Sequence, residues 1–216
     1  MTKVSEVVVI DYGVGNLLSV RRALEHCGAS VQVTSDPELI LDAPMVILPG
    51  VGAFSKGMEE LGRRGLAVVV RKVAANGVPL LGICLGMQML LDESDEFGVT
   101  AGLGLIPGRV IAVPTTSSDD PPHKIPHIGW NSLVLPRGCK SWQHSLLHDI
   151  KQGSAVYFVH SFMASPSNPE DRIADCLYGD ESVSAIIGRN NVFGCQFHPE
   201  KSGDVGLQVL KNFLDQ

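Results

Sequence analysis

Short, unbroken apolar runs recur along the first hundred residues: EVVVI (6–10), VQVT (31–34), MVILP (45–49) and VPLLGI (78–83). Each is too short for a helix and reads as a strand, EVVVI as a buried one, and the nearly unbroken apolar character of the set fits a covered sheet. Longer amphipathic stretches separate them. Residues 16–27 carry the helical period and meet a stop at Gly28. Residues 54–75 read as helical, with interruptions expected at Gly57, Gly62 and Gly65. The stretch LGMQMLLDES (85–94) is expected to begin a helix directly after the fourth strand. Strands alternating with helices predict parallel βαβ units in a sheet covered on both sides.

The second half changes rhythm. GRVIAV (108–113), GWNSLV (129–134), AVYFVHSF (155–162), RIADCLY (172–178), SVSAIIG (182–188) and NVFGCQF (191–197) follow one another with turns between them. Antiparallel hairpins that extend or cap the sheet are expected. A helix over about 204–214 closes the chain. The segment TTSSDDPPHK (115–124) reads as a polar loop and the expected mobile segment. No internal repeat or domain boundary is visible, so 1–216 reads as a single domain. Its 216 residues suffice for one α/β core.

Composition narrows the function classes. Hydrophobic residues make up 44% and charged residues 19%, with a net charge of −6. That balance argues against a disordered chain and against a general nucleic-acid or anionic-membrane binder. No apolar run approaches the ~18 residues of a membrane span. The apolar stretch near the start is too short for a secretory signal, so a soluble, cytoplasmic protein is expected. The cysteines, Cys27, Cys84, Cys139, Cys176 and Cys195, form no CxxC pair. Zinc or redox chemistry is therefore not indicated, and most read as buried free thiols.

Cys84 stands apart. Gly82-Ile83-Cys84-Leu85-Gly86 lies between an apolar strand and a helix, the arrangement of a nucleophile elbow with cysteine in place of serine. Glycines at 82 and 86 permit backbone to approach backbone where a side chain would collide. The turn presents the thiol at the carboxyl edge of the sheet, where open α/β folds bind ligands. A helix N-terminus favours thiolate there, and Leu85 N–H is free to face an oxyanion. A structural cysteine beside a turn would show the same motif.

A cysteine nucleophile needs a base and a group to orient it. Gln196-Phe197-His198-Pro199-Glu200 follows a buried strand. Proline biases His198 towards extended backbone, and in an extended segment residues i and i+2 share a side. Glu200 is then placed beside the imidazole. An exposed polar His-Pro-Glu would look identical in isolation.

Together, P-G-V-G (49–52), G-I-C-L-G-M-Q (82–88) and Q-F-H-P-E (196–200) resemble the class I, triad-type glutamine amidotransferases over nearly the whole chain. D-Y-G-V-G-N (11–16), P-H-I-G-W-N (126–131) and the Lys201-Ser202 extension are similar to one branch, the glutaminase subunits of imidazole glycerol phosphate synthase. The resemblance implies a flavodoxin-like three-layer α/β sandwich, its central sheet mainly parallel with antiparallel additions in the C-terminal half. It implies a Cys84–His198–Glu200 triad that hydrolyses glutamine through a γ-glutamyl thioester. The partner implied is a separate (β/α)₈-barrel cyclase, with no cofactor, no metal and no nucleic acid.

The resemblance also distributes roles. Val51 and Leu85 N–H would form the oxyanion hole. Gly50, Gly52, Gln88, His160, Ser161 and Phe162 would hold substrate. The family often has tyrosine where Phe162 stands, so a side-chain hydrogen bond from that position is in doubt. Asn16, Trp130, Asn131 and Lys201 would lie at or near the cyclase contact, although Trp130 also suits a core. Other readings stay open: a glutaminase of another synthase such as that of vitamin B6, a stand-alone γ-glutamyl hydrolase, or a non-catalytic binding protein on this fold.

Overall fold

A computed structural model describes residues 5–115, 124–139, 142 and 145–216. Most of the loop expected at 115–124 lies outside the described residues. In chain order the elements are β1 (Glu6–Ile10), α1 (Leu17–His26), β2 (Ser30–Thr34), α2 (Pro37–Leu41), β3 (Val46–Leu48), α3 (Phe54–Arg63), α4 (Leu66–Ala75), β4 (Leu80–Ile83) and α5 (Leu85–Met89). There follow β5 (Glu93–Ser94), β6 (Thr100–Ala101), β7 (Gly108–Ala112), β8 (His127–Val134), β9 (Ala155–His160), β10 (Phe162–Pro166), β11 (Arg172–Tyr178), β12 (Glu181–Arg189), β13 (Val192–Cys195) and α6 (Gly203–Leu214).

The alternation within β1 divides the interior in two. Val7 and Val9 join an apolar cluster with Val20, Leu24, Leu210 and Phe213, which belong to α1 and α6. Val8 and Ile10 join the other, with Ile40, Leu61, Val70 and Met87 from α2 to α5. Successive strand side chains face opposite ways, so each face of the sheet takes its own helical layer. The expected three layers are present.

The main sheet runs β2-β1-β3-β4-β13-β12-β11-β8-β9. Pairing is parallel from β2 through β4 to β13 and antiparallel beyond. A smaller sheet, β10-β7-β5-β6, lies beside it. The run 155–162 splits at Ser161, because β9 pairs with β8 whereas β10 pairs with β7. Among the described residues no helix is long and apolar enough to cross a membrane.

Three local expectations need correction. Only Gly65, at φ 71°, breaks the helix over 54–75; Gly57 and Gly62 stay within α3. Gly57 serves packing instead, since a Cβ there would lie 2.8 Å from Met89 Sδ. The helix after Cys84 ends at Met89, and the chain enters β5 where helix was expected. Helix α2 was not read, although Asp36 caps it at Glu38 N–H and Pro37 opens it.

The elbow glycines have the predicted reason. A Cβ on Gly82 would meet Gly86 backbone at 2.7 Å, and one on Gly86 would meet Leu48 O at 1.8 Å. Gly86→Ala is expected to cost about 3 kcal/mol or more, because backbone has nowhere to retreat. Gly62→Ala, which has open space at its Cβ, should instead gain roughly 0.5–1 kcal/mol. Urea denaturation of both variants checks the contrast; equal effects would show that the elbow is not tightly packed.

Candidate active site

Cys84 sits at φ 55°, ψ −110°, a strained conformation for a residue with a side chain. The strain is imposed from both sides. Cys84 N donates to Cys195 O at 2.8 Å, and Gln88 N donates back to Cys84 O at 3.2 Å. Helix α5 spans only five residues, so its dipole has little to offer the thiol. The sulfur depends on its side-chain neighbours instead.

β13 runs parallel to β4 with Cys195 opposite Ile83. Continuing past β13, the chain places His198 beside Cys84. His198 Nδ1 and Glu200 Oε1 are 2.9 Å apart, with both side chains almost fully buried. Glu200 reaches the imidazole from a 3₁₀ turn, Pro199–Lys201, rather than from the extended segment expected. Ser202 Oγ braces that turn by donating to His198 O at 2.7 Å, while Tyr157 N donates to it at 2.9 Å. At rest His198 Nε2 has no hydrogen bond of good geometry. Burial opposes charging of the ring, but Cys84 and Glu200 outweigh it and hold its pKa up at about 9. A protonated imidazole facing the Cys84 sulfur is therefore favoured near neutral pH.

A cavity of about 320 Å³ opens at the sulfur. Val51, Gly52, Leu85, Gln88, His160, Ser161 and Phe162 line it together with Cys84 and His198. Gly50 stands just behind, where a Cβ would meet Tyr12 Oη at 2.5 Å. Gln88 is buried rather than on a helix surface, and its Nε2 donates to Phe162 O at 2.9 Å. His160 Nδ1 lies 2.9 Å from the same carbonyl. Burial, then the neighbouring His127, pull the His160 pKa down to about 4.

The expected oxyanion hole is not assembled. Leu85 N donates to Gly50 O at 3.3 Å. In a trans peptide the next N–H points the opposite way from that carbonyl, so Val51 N–H is turned away from Leu85. The turn is tethered at one end, where Tyr12 Oη donates to Pro49 O at 2.8 Å. At the other end Gly52, at φ 93°, has no atom near its absent Cβ.

The residues expected at a partner contact lie outside the cavity. Trp130 is 58% exposed, which rules out a core role, and it meets Tyr157 edge-on. Ile128 and Leu177, 59% and 55% exposed, are further large apolar residues on the surface. Lys201 is exposed next to the Glu200 turn. Asn16 caps α1 by accepting from Ser19 N at 3.4 Å. Asn131 is engaged within the chain, donating to Leu177 O at 2.7 Å.

Sequence reasoning missed Glu96, which lines the cavity while its Oε2 accepts from Phe54 N at 2.6 Å. It lies just past the stretch expected to begin a helix, in the turn between β5 and β6. Gln196 was quoted in a motif but given no role; its Nε2 lies 3.8 Å from Cys84 Sγ. Among the described residues no group of His, Cys, Asp and Glu could hold a metal ion.

A model of the glutamine amidotransferase class-I family matches residues 8–216. The chain belongs to that family. As a class I glutamine amidotransferase it is 53% identical over 210 residues to imidazole glycerol phosphate synthase subunit HisH 1 of Legionella pneumophila (strain Lens), covering 97% of this chain and 99% of that one. It is 48% identical over 206 residues to the HisH subunit of Geobacillus thermodenitrificans (strain NG80-2), covering 95% and 93%. In fold it is similar to a crystal structure of a glutamine amidotransferase, with TM-score 0.71, 17% identity and coverage of 97% and 99%. PurLQS from Thermotoga maritima gives TM-score 0.67 at 21% identity, with 99% of each chain covered.

The buried histidine of this amidotransferase has a consequence for stability. An unfolded histidine takes up a proton near its usual pKa of 6.5, but His160 does so only near 4. Between those values the unfolded chain binds more protons, so stability falls as pH drops from 6.5 towards 4. The loss from this group reaches roughly 3 kcal/mol. His198 does not oppose it there: its raised pKa adds stability that is complete below 6.5 and lost only as pH rises through about 9. Urea denaturation across the acid range should show a shallower decline in His160→Gln; parallel declines would reject the assignment.

Proposed function

We propose that the chain is the glutaminase subunit of imidazole glycerol phosphate synthase, releasing ammonia from glutamine for a separate (β/α)₈-barrel cyclase. The products on the cyclase would be imidazole glycerol phosphate and aminoimidazole carboxamide ribotide, made in the cytoplasm for histidine biosynthesis. The observation that carries the reading is the Glu200-paired His198 facing Cys84 at a strained elbow. The relatives bearing that subunit name, at 53% and 48% identity, support the choice of synthase.

Cys84 thiolate attacks the side-chain amide carbon of glutamine, and charge develops on its oxygen. The His198 imidazolium gives its proton to the departing nitrogen, which leaves as ammonia. The γ-glutamyl thioester is then hydrolysed by a water that the now neutral His198 deprotonates. Glu200 holds the ring throughout. Gln88 presents amide nitrogen to Phe162 O, which leaves its Oε1 to accept from the α-ammonium of glutamine. The neutral backbone around Ser161 and Phe162 borders the same end of the cavity.

The resting turn explains how such a subunit avoids wasting glutamine. With Gly50 O on Leu85 N–H, one donor is masked and the other, Val51 N–H, faces away. Rotating the single peptide between Gly50 and Val51 frees the first and supplies the second. The rotation falls on Gly50 ψ and Val51 φ, and the glycine on that side lowers its cost. Cyclase docking on Trp130, Ile128 and Lys201 would favour the rotated state, a population shift rather than a new fold. One oxyanion donor is worth about 10²–10³ in rate.

Glutamate release is expected to be slow from the chain alone and to rise at least about 10²-fold with cyclase and its ribulosyl ligand. Cys84→Ala should abolish glutamine-dependent turnover while the cyclase still uses added ammonium salts. A chain fully active alone and indifferent to the cyclase would favour a stand-alone hydrolase. Glutamine-dependent turnover surviving in Cys84→Ala would remove Cys84 from the mechanism.

A further inference from the structure

One carbonyl sets the polarity of every amide between the cavity wall and the sulfur. Phe162 O can only accept, and it takes Gln88 Nε2 and His160 Nδ1, each at 2.9 Å. That choice fixes which end of the Gln88 amide is nitrogen. The same Nε2 lies 3.0 Å from the Gln196 side chain. A donor there requires Gln196 to present Oε1. Its Nε2 is then turned towards Cys84 Sγ, 3.8 Å away. Reversing Gln196 would set N–H against N–H, and reversing Gln88 would set oxygen against oxygen, in a buried site.

The outer half of the network follows the same logic. Because His160 Nδ1 donates to Phe162 O, its Nε2 accepts, and His127 Nδ1 at 2.9 Å donates. Gln196 is fully buried, and its backbone N is tied to Ala185 O at 2.9 Å. The amide has no freedom to turn away from the thiol.

We propose that Gln196 is a neutral hydrogen-bond donor to the Cys84 sulfur, held in that polarity by Gln88 and the Phe162 carbonyl, and that it stabilises the thiolate. The proposal rests on reading Cys84 as the nucleophile. Its chemical value lies in timing. His198 gives up its proton when ammonia leaves, so its charge no longer supports the sulfur. Gln196 loses nothing at that step. When water displaces the acyl group, the sulfur departs as thiolate, and the Gln196 N–H still faces it. An amide donor faces the sulfur throughout, whereas the charge on His198 comes and goes with the proton it shuttles.

The test is the pH dependence of Cys84 alkylation by iodoacetamide, followed by peptide-resolved mass spectrometry in wild type, Gln196→Met and Gln196→Glu. The titratable groups around the sulfur stay in place: His198 backed by Glu200, His160, Tyr12, Cys195 and, across the cavity, Glu96. Gln196→Met removes the donor at similar volume, and its alkylation midpoint is expected about one pH unit higher. Gln196→Glu keeps an oxygen for Gln88 but turns a carboxylate to the sulfur, and its midpoint should rise at least as far. With the cyclase present, kcat for glutamine should fall about 10-fold in Gln196→Met while KM changes little. Should the methionine variant fail to fold, Gln196→Leu removes the donor without adding charge and carries the same comparison. A midpoint equal to wild type in the folded variant overturns the proposal. Alkylation needs no glutamine, so that result is independent of whether the chain proves to be a glutaminase.

Discussion

Cys84 N donates to Cys195 O at 2.8 Å at the end of the parallel pairing between β4 and β13. The site hangs from that pairing. It joins two segments more than a hundred residues apart and sets their register to the residue. A slip by one residue would invert every side chain on β13, carrying the chain beyond it out of line with Cys84. The pairing is guarded sterically as well. A Cβ on Gly194 would lie 2.6 Å from Met87 Cγ, so the strand approaches the elbow closely only because glycine stands there. The antiparallel strands β12 and β11 lie beyond this junction and bury its far side.

The chemistry of the site divides into a charged half and a neutral half. On one side Glu200 and Cys84 hold a proton on His198 against burial. Around His160 the groups are neutral, because burial and His127 exclude a proton from it. Two buried histidines thus take opposite states from their neighbours alone. The division suits the proposed reaction. The half that moves protons carries charge, and the half that borders the substrate holds its shape through directional hydrogen bonds. A charged His160 would no longer accept from His127, and the amide polarity beyond it would lose its anchor.

Much of this was legible in the sequence for reasons that can be named. Strands β1, β3 and β4 were readable because they are buried, so their runs are almost wholly apolar, whereas β2 is an edge strand with no buried residue. Cys84, Gly82 and Gly86 were readable because an elbow forbids side chains at fixed offsets. What escaped notice depended on contacts across the fold. Glu96 reaches the cavity only because the helix after Cys84 stops at Met89, and nothing in the local period required it to stop. Gln196 looked like a motif residue of no particular use until Phe162 O was seen to orient Gln88. The split of 155–162 at Ser161 was hidden because β9 and β10 are each ordinary strands, and only their different partners separate them.

The resting geometry separates two requirements that a thiol enzyme is often assumed to meet together. The nucleophile is prepared: His198 is paired, and the elbow holds Cys84 in place by strain. The acceptor is not, since Gly50 O occupies Leu85 N–H. Preparing the nucleophile early is harmless in the proposed reaction, because without an oxyanion hole its attack on an amide gains little. Preparing the hole early would not be harmless, for it would complete the site in the absence of any acceptor for ammonia. Control is therefore best placed on the hole. In the proposed mechanism it is the Gly50–Val51 peptide on the cavity wall that changes state, without disturbing β3, β4 or β13. On that reading the strands around Cys84 and His198 stay rigid, while a rotation confined to one peptide would decide whether the site is complete.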